Sequence, residues 1–179
     1  MTTLLAIDPG TTESGWVLFD GKRVLASGVY PNKILLSDTY ASRPEVLAIE
    51  MIASYGMPVG REVFETCVWI GRFQQAWCEP EKTRLVYRRD VKLHLCGNPR
   101  AKDANIRQAL IDKLGPVGTK AAPGPLYGVK SHAWAALAVA VTALEAMPCF
   151  DLPGSPPGPR SDTWNRERRR WGVRRRWTG

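Results

Sequence analysis

The sequence predicts an α/β fold, a mixed five-stranded sheet flanked by helices, and three observations carry that prediction. An apolar run ending in a carboxylate occurs twice, as Leu5-Ala6-Ile7-Asp8 and Leu47-Ala48-Ile49-Glu50, and a short run of this kind reads as a buried strand. Between the two copies lie two more β-patterned runs joined by Asp20-Gly21, the composition of a tight hairpin turn. After the second copy, longer amphipathic segments of helical period dominate. Antiparallel strands first and parallel additions afterwards give a mixed sheet with helices on its faces.

Pro9-Gly10 stops the first strand, Pro9 by its fixed φ and Gly10 by its access to positive φ. Asp8 is therefore expected at the exposed end of a core strand, open to water, metal or substrate. Residues 15–19 and 23–30 read as the next two strands, joined by a type I′ turn at Asp20-Gly21. Residues 31–44 are ambiguous, because Ile34-Leu35-Leu36 suits either one helical turn or a loop anchor. Residues 45–50 form the fourth strand. If it lies parallel to the first, Asp8 and Glu50 emerge side by side and repel unless a divalent cation neutralises them.

Residues 59–77 read as a long helix whose apolar arc is wider than one core-facing side requires, with Gly71 inside it. The width points equally to a core helix and to a dimer contact. A fifth strand is expected over 84–88 and a short helix over 90–95. A helix over 103–114 is expected with Asp103 as its N-cap and Gly115-Pro116 at its end. The Ala-rich helix 131–147 is expected with Ser131 as N-cap and His132 in its first turn, its alanines letting it lie close to the sheet.

The chain has 179 residues and a net charge of +8, enough for one domain with a sizeable core and basic enough to point to a polyanion partner, nucleic acid before membrane. Residues 1–150 are assigned to that domain. Residues 151–179 are assigned to a Pro/Gly linker and a basic tail, with Trp164, Trp171 and Trp177 among the Arg runs. Such a tail is expected to be disordered without DNA, its Arg neutralising phosphates and its Trp stacking on exposed bases. The four cysteines are widely spaced and read as reduced thiols rather than a zinc site. Asp8 and Pro9 interrupt the N-terminal apolar run, so no signal peptide is expected, and no apolar run is long enough to span a bilayer.

Two strand ends and one helix start thus bring Asp8, Glu50 and His132 towards one point. Metal-assisted phosphodiester hydrolysis needs such a cluster, with two divalent cations activating water and stabilising the leaving oxygen. The oxygen ligands suit Mg²⁺ or Mn²⁺, and the imidazole favours Mn²⁺. Asp8 taken alone is an ordinary turn residue and His132 taken alone an ordinary helix-start residue. The echo at Glu50 and the common convergence favour the functional reading.

The AIDPGTTESGW start, the LAIE strand, the EVFETCVWIGRFQQAW helix, the KDANIRQALIDKLG helix and the GVKSHAWAALAVAVTALE helix resemble the RuvC family of Holliday-junction resolvases, its shorter phage-type members above all. The resemblance spans roughly residues 3–147. It implies a ribonuclease-H-like fold, a homodimer through the 59–77 helix and a four-way DNA junction as substrate. It also implies paired nicks leaving 5′-phosphate and 3′-hydroxyl ends, Mg²⁺ or Mn²⁺ as cofactor, two ions per site, and a cytoplasmic setting, the bacterial host's if the chain is phage-encoded. By position, Asp8 and Glu50 match the catalytic carboxylates of the first and fourth strands and His132 the first ligand position on the last helix. Lys92 matches a basic residue near the scissile phosphate, and Arg88, Arg89, Arg100 and Lys102 beside it are expected to pair with DNA phosphates.

One departure concerns the site itself. Where many members carry an Asp one turn after His132, this chain has Ala135, which cannot bind metal. Asp103, at a position where bacterial relatives have Lys, is the expected substitute, although helix capping explains it as well. A non-catalytic branched-DNA binder of the same fold is the alternative that Ala135 raises. The Asp-Pro-Gly-Thr-Thr turn also suits the nucleotide-binding folds of actin and Hsp70 type, whose two large lobes a chain of this length does not supply.

Overall fold

A computed structural model describes residues 3–42 and 44–145. The expected boundary at 150/151, the linker and the Arg/Trp tail lie outside the described residues. The elements run β1 (Leu4–Asp8), β2 (Glu13–Phe19), β3 (Val24–Pro31), α1 (Asn32–Ser42), β4 (Val46–Met51), α2 (Arg61–Ala76), β5 (Arg84–Tyr87), α3 (Arg88–Cys96), α4 (Asp103–Leu114) and α5 (Ala133–Glu145). The sheet has the order β3-β2-β1-β4-β5. β1, β2 and β3 pair antiparallel, and β4 lies parallel to both β1 and β5. The expected mixed five-stranded α/β sheet is therefore present.

The repeated Leu-Ala-Ile runs are not only alike but in register. Leu5 pairs with Leu47, Ala6 with Ala48 and Ile7 with Ile49. Because side chains alternate along a strand, each run divides between two cores. Leu4, Ala6, Val46 and Ala48 pack with Val86 under α3, α4 and α5. Leu5, Ile7, Leu47 and Ile49 pack with Leu35 of α1 and with Ile70, Phe73 and Trp77 of α2 or its end. A strand buried on both faces needs a continuous apolar sequence, which explains why β1 and β4 carry no alternation. Phe73 is wholly buried, a contribution of roughly 2–3 kcal/mol from its side chain.

α5 is buried nearly all round, from Ala133 and Ala136 through Ala143, because the sheet lies beneath it and α3 and α4 lie against it. Its small residues permit that approach. α2 is different. Thr66, Ile70, Phe73 and Ala76 face inward, while Phe64 and Val68 remain 63% and 53% exposed. The wide apolar arc therefore resolves into two faces, of which one meets the core.

Several local expectations are corrected. Residues 31–44 contain the helix α1, which the sequence left ambiguous because its fixing contact, described below, is remote in sequence. The β2–β3 connection is not a two-residue type I′ turn. Gly21 alone has positive φ there, and the Asp20 carboxylate accepts the backbone N–H groups of Lys22 at 2.8 Å and Arg23 at 2.6 Å. Those bonds hold its pKa below the ordinary carboxylate range. Gly10 is not in the left-handed region; it is needed because a Cβ there would meet the Glu13 carbonyl oxygen. Lys102, not Asp103, is the N-cap of α4, its N–H bonded to the Asn105 side chain at 3.0 Å. Asp103 is already helical, and its carboxylate goes elsewhere. Ser131 does not cap α5. It stands at φ +46°, and α5 begins after His132, whose carbonyl accepts the Ala136 N–H at 3.1 Å.

Among the described residues no helix is long and apolar enough to cross a membrane. Cys67, Cys78 and Cys96 are free thiols.

Candidate active site

β1 and β4 end together, and their parallel register places Asp8 and Glu50 one step beyond the Ile7–Ile49 pair. Both side chains fall on the α5 face by strand alternation, in line with Ala6 and Ala48. Their position is fixed from behind by a buried polar cluster. Asn32, at the start of α1, donates through Nδ2 to the Gly10 carbonyl at 2.9 Å and accepts the Ser14 hydroxyl at 2.6 Å. The Gly10 N–H in turn bonds to Ser14 Oγ at 3.3 Å, and the Asn32 N–H bonds to the Thr12 carbonyl at 2.9 Å. Ser14 and Asn32 are almost fully buried, so these paired groups hold the turn after Asp8 rigid, and an unpaired one would be costly.

His132 approaches from just before the start of α5, its Nδ1 3.2 Å from Asp8 Oδ2. Gly15 makes this approach possible. It pairs with Asp8 across β1 and β2, and a Cβ on it would lie 2.5 Å from the His132 carbonyl carbon and oxygen and 2.7 Å from its Cβ. Gly15→Ala is therefore expected to push the start of α5 away and move the imidazole by a few tenths of an ångström or more. The NMR resonances of the His132 imidazole, measured beside a thermal melt, check this: they should shift in the variant while the protein stays folded.

Arg88, the first residue of α3, faces into the same space. Its Nη1 is 3.3 Å from Glu50 Oε2 and its Nη2 is 2.6 Å from Asp103 Oδ1. A cavity of about 290 Å³ is lined by Asp8, Glu50, Arg88, Asp103 and His132 together with Ile106, Arg107, Ser131, Trp134 and Ala135. The four acidic and imidazole positions expected from the sequence thus share one cavity. Of the expected DNA-contacting residues, Arg88 joins them but turns inward onto carboxylates. Arg89 lines a separate cavity with Tyr55 and Tyr87. Lys92, Arg100 and Lys102 do not line either cavity. Sequence reasoning missed Arg107, although it lies one helical turn after Asp103 on the same face of α4. It also missed the Asn32–Ser14 cluster, which no local signal marks.

Burial governs the electrostatics. The Asp8 and Glu50 side chains are 18% and 14% exposed. Desolvation raises the Asp8 pKa, opposed by the neighbouring His132 and Arg88. Desolvation, reinforced by the negative charge of Asp8 and opposed by Arg88, pushes Glu50 up to about 7. Two adjacent carboxylates that resist ionising are a donor set suited to a hard divalent cation, which would replace the missing hydration with its own charge. Among the described residues no three His, Cys, Asp or Glu side chains stand in ligating geometry together: Arg88 holds Glu50 and Asp103, and His132 leans on Asp8. Asp103 is the outermost, with 78% of its side chain exposed. Ala135 lines the cavity and offers no ligand.

No family model and no curated protein sequence matches this chain. Among solved structures, it is similar to RuvC from Thermus thermophilus, with 25% identity and a TM-score of 0.57 over 80% of this chain and 93% of that one. It is similar also to the T. thermophilus RuvC in complex with a Holliday junction substrate, with 24% identity, the same TM-score and the same coverage.

Proposed function

On this RuvC-like fold, we propose that the chain is a divalent-metal-dependent endonuclease that recognises branched DNA, four-way junctions above all. The observation that carries the reading is the in-register pair of strand ends that delivers Asp8 and Glu50 side by side into the cavity that His132 also lines. The structural likeness to a junction-bound RuvC and the net charge of +8 support it.

In this reading Asp8, Glu50 and His132 hold Mg²⁺ or Mn²⁺, and Asp103 is the further ligand that Ala135 does not supply. Two such ions, when bound, would supply Lewis-acid chemistry, an activated water and charge neutralisation at the phosphate oxygens. The protein's part is to fix the carboxylates on rigid strand ends and to keep Arg88 near them as a balancing charge. Hydrolysis adds the water oxygen to phosphorus and releases the 3′ oxygen, so the products carry 5′-phosphate and 3′-hydroxyl ends. The basic residues Lys92, Arg89, Arg100 and Lys102 contact the DNA backbone outside the cavity.

The test is cleavage of a synthetic four-way junction and of a linear duplex of the same sequence, each with Mg²⁺ and with Mn²⁺. Paired nicks in the junction and none in the duplex are expected. Ala135 favours a second reading, a junction-binding protein without nuclease activity. Junction bound in Mn²⁺ but never nicked would establish that reading instead.

Resolution of a two-fold symmetric junction calls for two sites, and a homodimer provides them. The outward stripe of α2, formed by Phe64 and Val68 with Gly71 open beside it, is the surface we assign to the second copy. Phe64→Glu with Val68→Glu is expected to convert a dimer to a monomer in sedimentation velocity, with an unchanged circular dichroism spectrum. A wild-type chain that sediments as a monomer contradicts the assignment.

A further inference from the structure

Arg107 is the side chain whose placement the carboxylate site leaves unexplained. It lines the same cavity as Asp8 and Glu50, from the α4 side. Its guanidinium carbon lies 4.6 Å from the centroid of the Trp134 ring, which also lines the cavity. Arg88, the neighbouring guanidinium, is bound to two carboxylates. Among the described residues, Arg107 has no carboxylate within ion-pairing distance. Its fixed neighbour is an aromatic face. Stacking on a ring holds a guanidinium in orientation and leaves its N–H edge unspent. Five donors in a planar fork, next to an acidic centre and without an internal acceptor, match the oxygens of a phosphodiester.

We infer that Arg107, oriented by Trp134, binds a backbone phosphate of the DNA strand entering the carboxylate site. This rests on the nuclease reading and adds to it a residue specific to this chain's own cavity. Ala135 contributes by its size. It lines the cavity beside Trp134, and its methyl group leaves room that a carboxylate would fill with negative charge, which would pair with Arg107 and repel the incoming phosphate. Trp134 is a positioning residue here, since it acts through the guanidinium it holds.

The experiment is fluorescence-anisotropy titration of a labelled four-way junction at several salt concentrations, in Ca²⁺ so that strands stay intact. The proteins are full-length wild type, Arg107→Ala, Arg107→Lys, Trp134→Leu and the double variant Arg107→Ala/Trp134→Leu. Arg107→Ala is expected to weaken binding about tenfold and to reduce the salt slope by about one. Arg107→Lys should keep the slope and lose part of the affinity, because it keeps the charge without the fork. Trp134→Leu should weaken binding in the wild-type background and add nothing in the Arg107→Ala background. Thermal melts within a few degrees of wild type are expected for the Arg107 variants, since that side chain is exposed. Wild-type binding with an unchanged affinity and slope for Arg107→Ala overturns the inference alone. A wild type that does not bind the junction overturns the nuclease reading together with it.

Discussion

Asp8→Asn is expected, on the proposed nuclease reading, to lower the rate of four-way-junction cleavage by at least about a thousandfold, corresponding to several kcal/mol of lost metal-borne stabilisation of the transition state. Junction binding and the fold should survive. The substitution removes a carboxylate whose ionisation burial already opposes, so the metal-free protein should melt no lower than wild type. The amide retains the shape of the side chain and can still bond to His132, but it is a poor ligand for a hard cation. Glu50→Gln should behave in the same way. Measurement of single-turnover rates beside melts and binding isotherms separates these effects. A rate within tenfold of wild type would show that Asp8 is a turn residue and nothing more.

The second large effect concerns stability. Glu50 ionises near 7 in the folded protein against an ordinary value of 4.5. The folded state therefore holds a proton that the unfolded state has released, and stability falls as pH rises through 4.5 to 7. A shift of that size corresponds to about 3 kcal/mol lost across the window. For a domain of this size the loss amounts to roughly 6–12 °C in Tm. Below pH 4.5 the effect of Glu50 is fully favourable; above 7 it is gone. A divalent cation at the carboxylates reverses this, because it favours their charged forms. Melts of the metal-free protein should fall from pH 5 to pH 7.5. Mn²⁺ at a hundredfold excess over its Kd should restore about 3 kcal/mol at pH 7.5 and much less at pH 5, where protons compete for the same oxygens. Glu50→Gln should flatten the metal-free curve. A metal-free Tm that does not change over this range would contradict the electrostatic account.

Much of the fold was legible because the informative signals are local. Pro9-Gly10, the apolar runs of β1 and β4, and the periodicities of α2, α4 and α5 each announce themselves within a few residues. The pairing of Asp8 with Glu50 was legible for a rarer reason: the two strands that carry them have nearly the same sequence and pair in parallel register. Whatever depends on remote partners was not legible. α1 is anchored where Asn32 meets Gly10, Thr12 and Ser14, and nothing near residue 32 foretells that contact. Asp103 looked like a helix cap, yet Arg88, fifteen residues earlier, takes its carboxylate. Arg88 itself looked like a DNA contact because its sequence neighbours are basic. Its position after β5 turns it instead towards Glu50, whose burial gives a guanidinium more to gain there than in water. Arg107 carried one readable sign, its i+4 spacing from Asp103, which mattered only once Asp103 was placed at the cavity.

Mn²⁺ binding measures most directly whether Asp8 and Glu50 together hold a divalent cation, as proposed. Titration of the wild type and of Asp8→Asn at pH 7.5, followed by the electron paramagnetic resonance signal of free Mn²⁺, should show saturable binding that Asp8→Asn loses by at least about a hundredfold in affinity. Equal Mn²⁺ affinity in the two proteins would contradict that proposal.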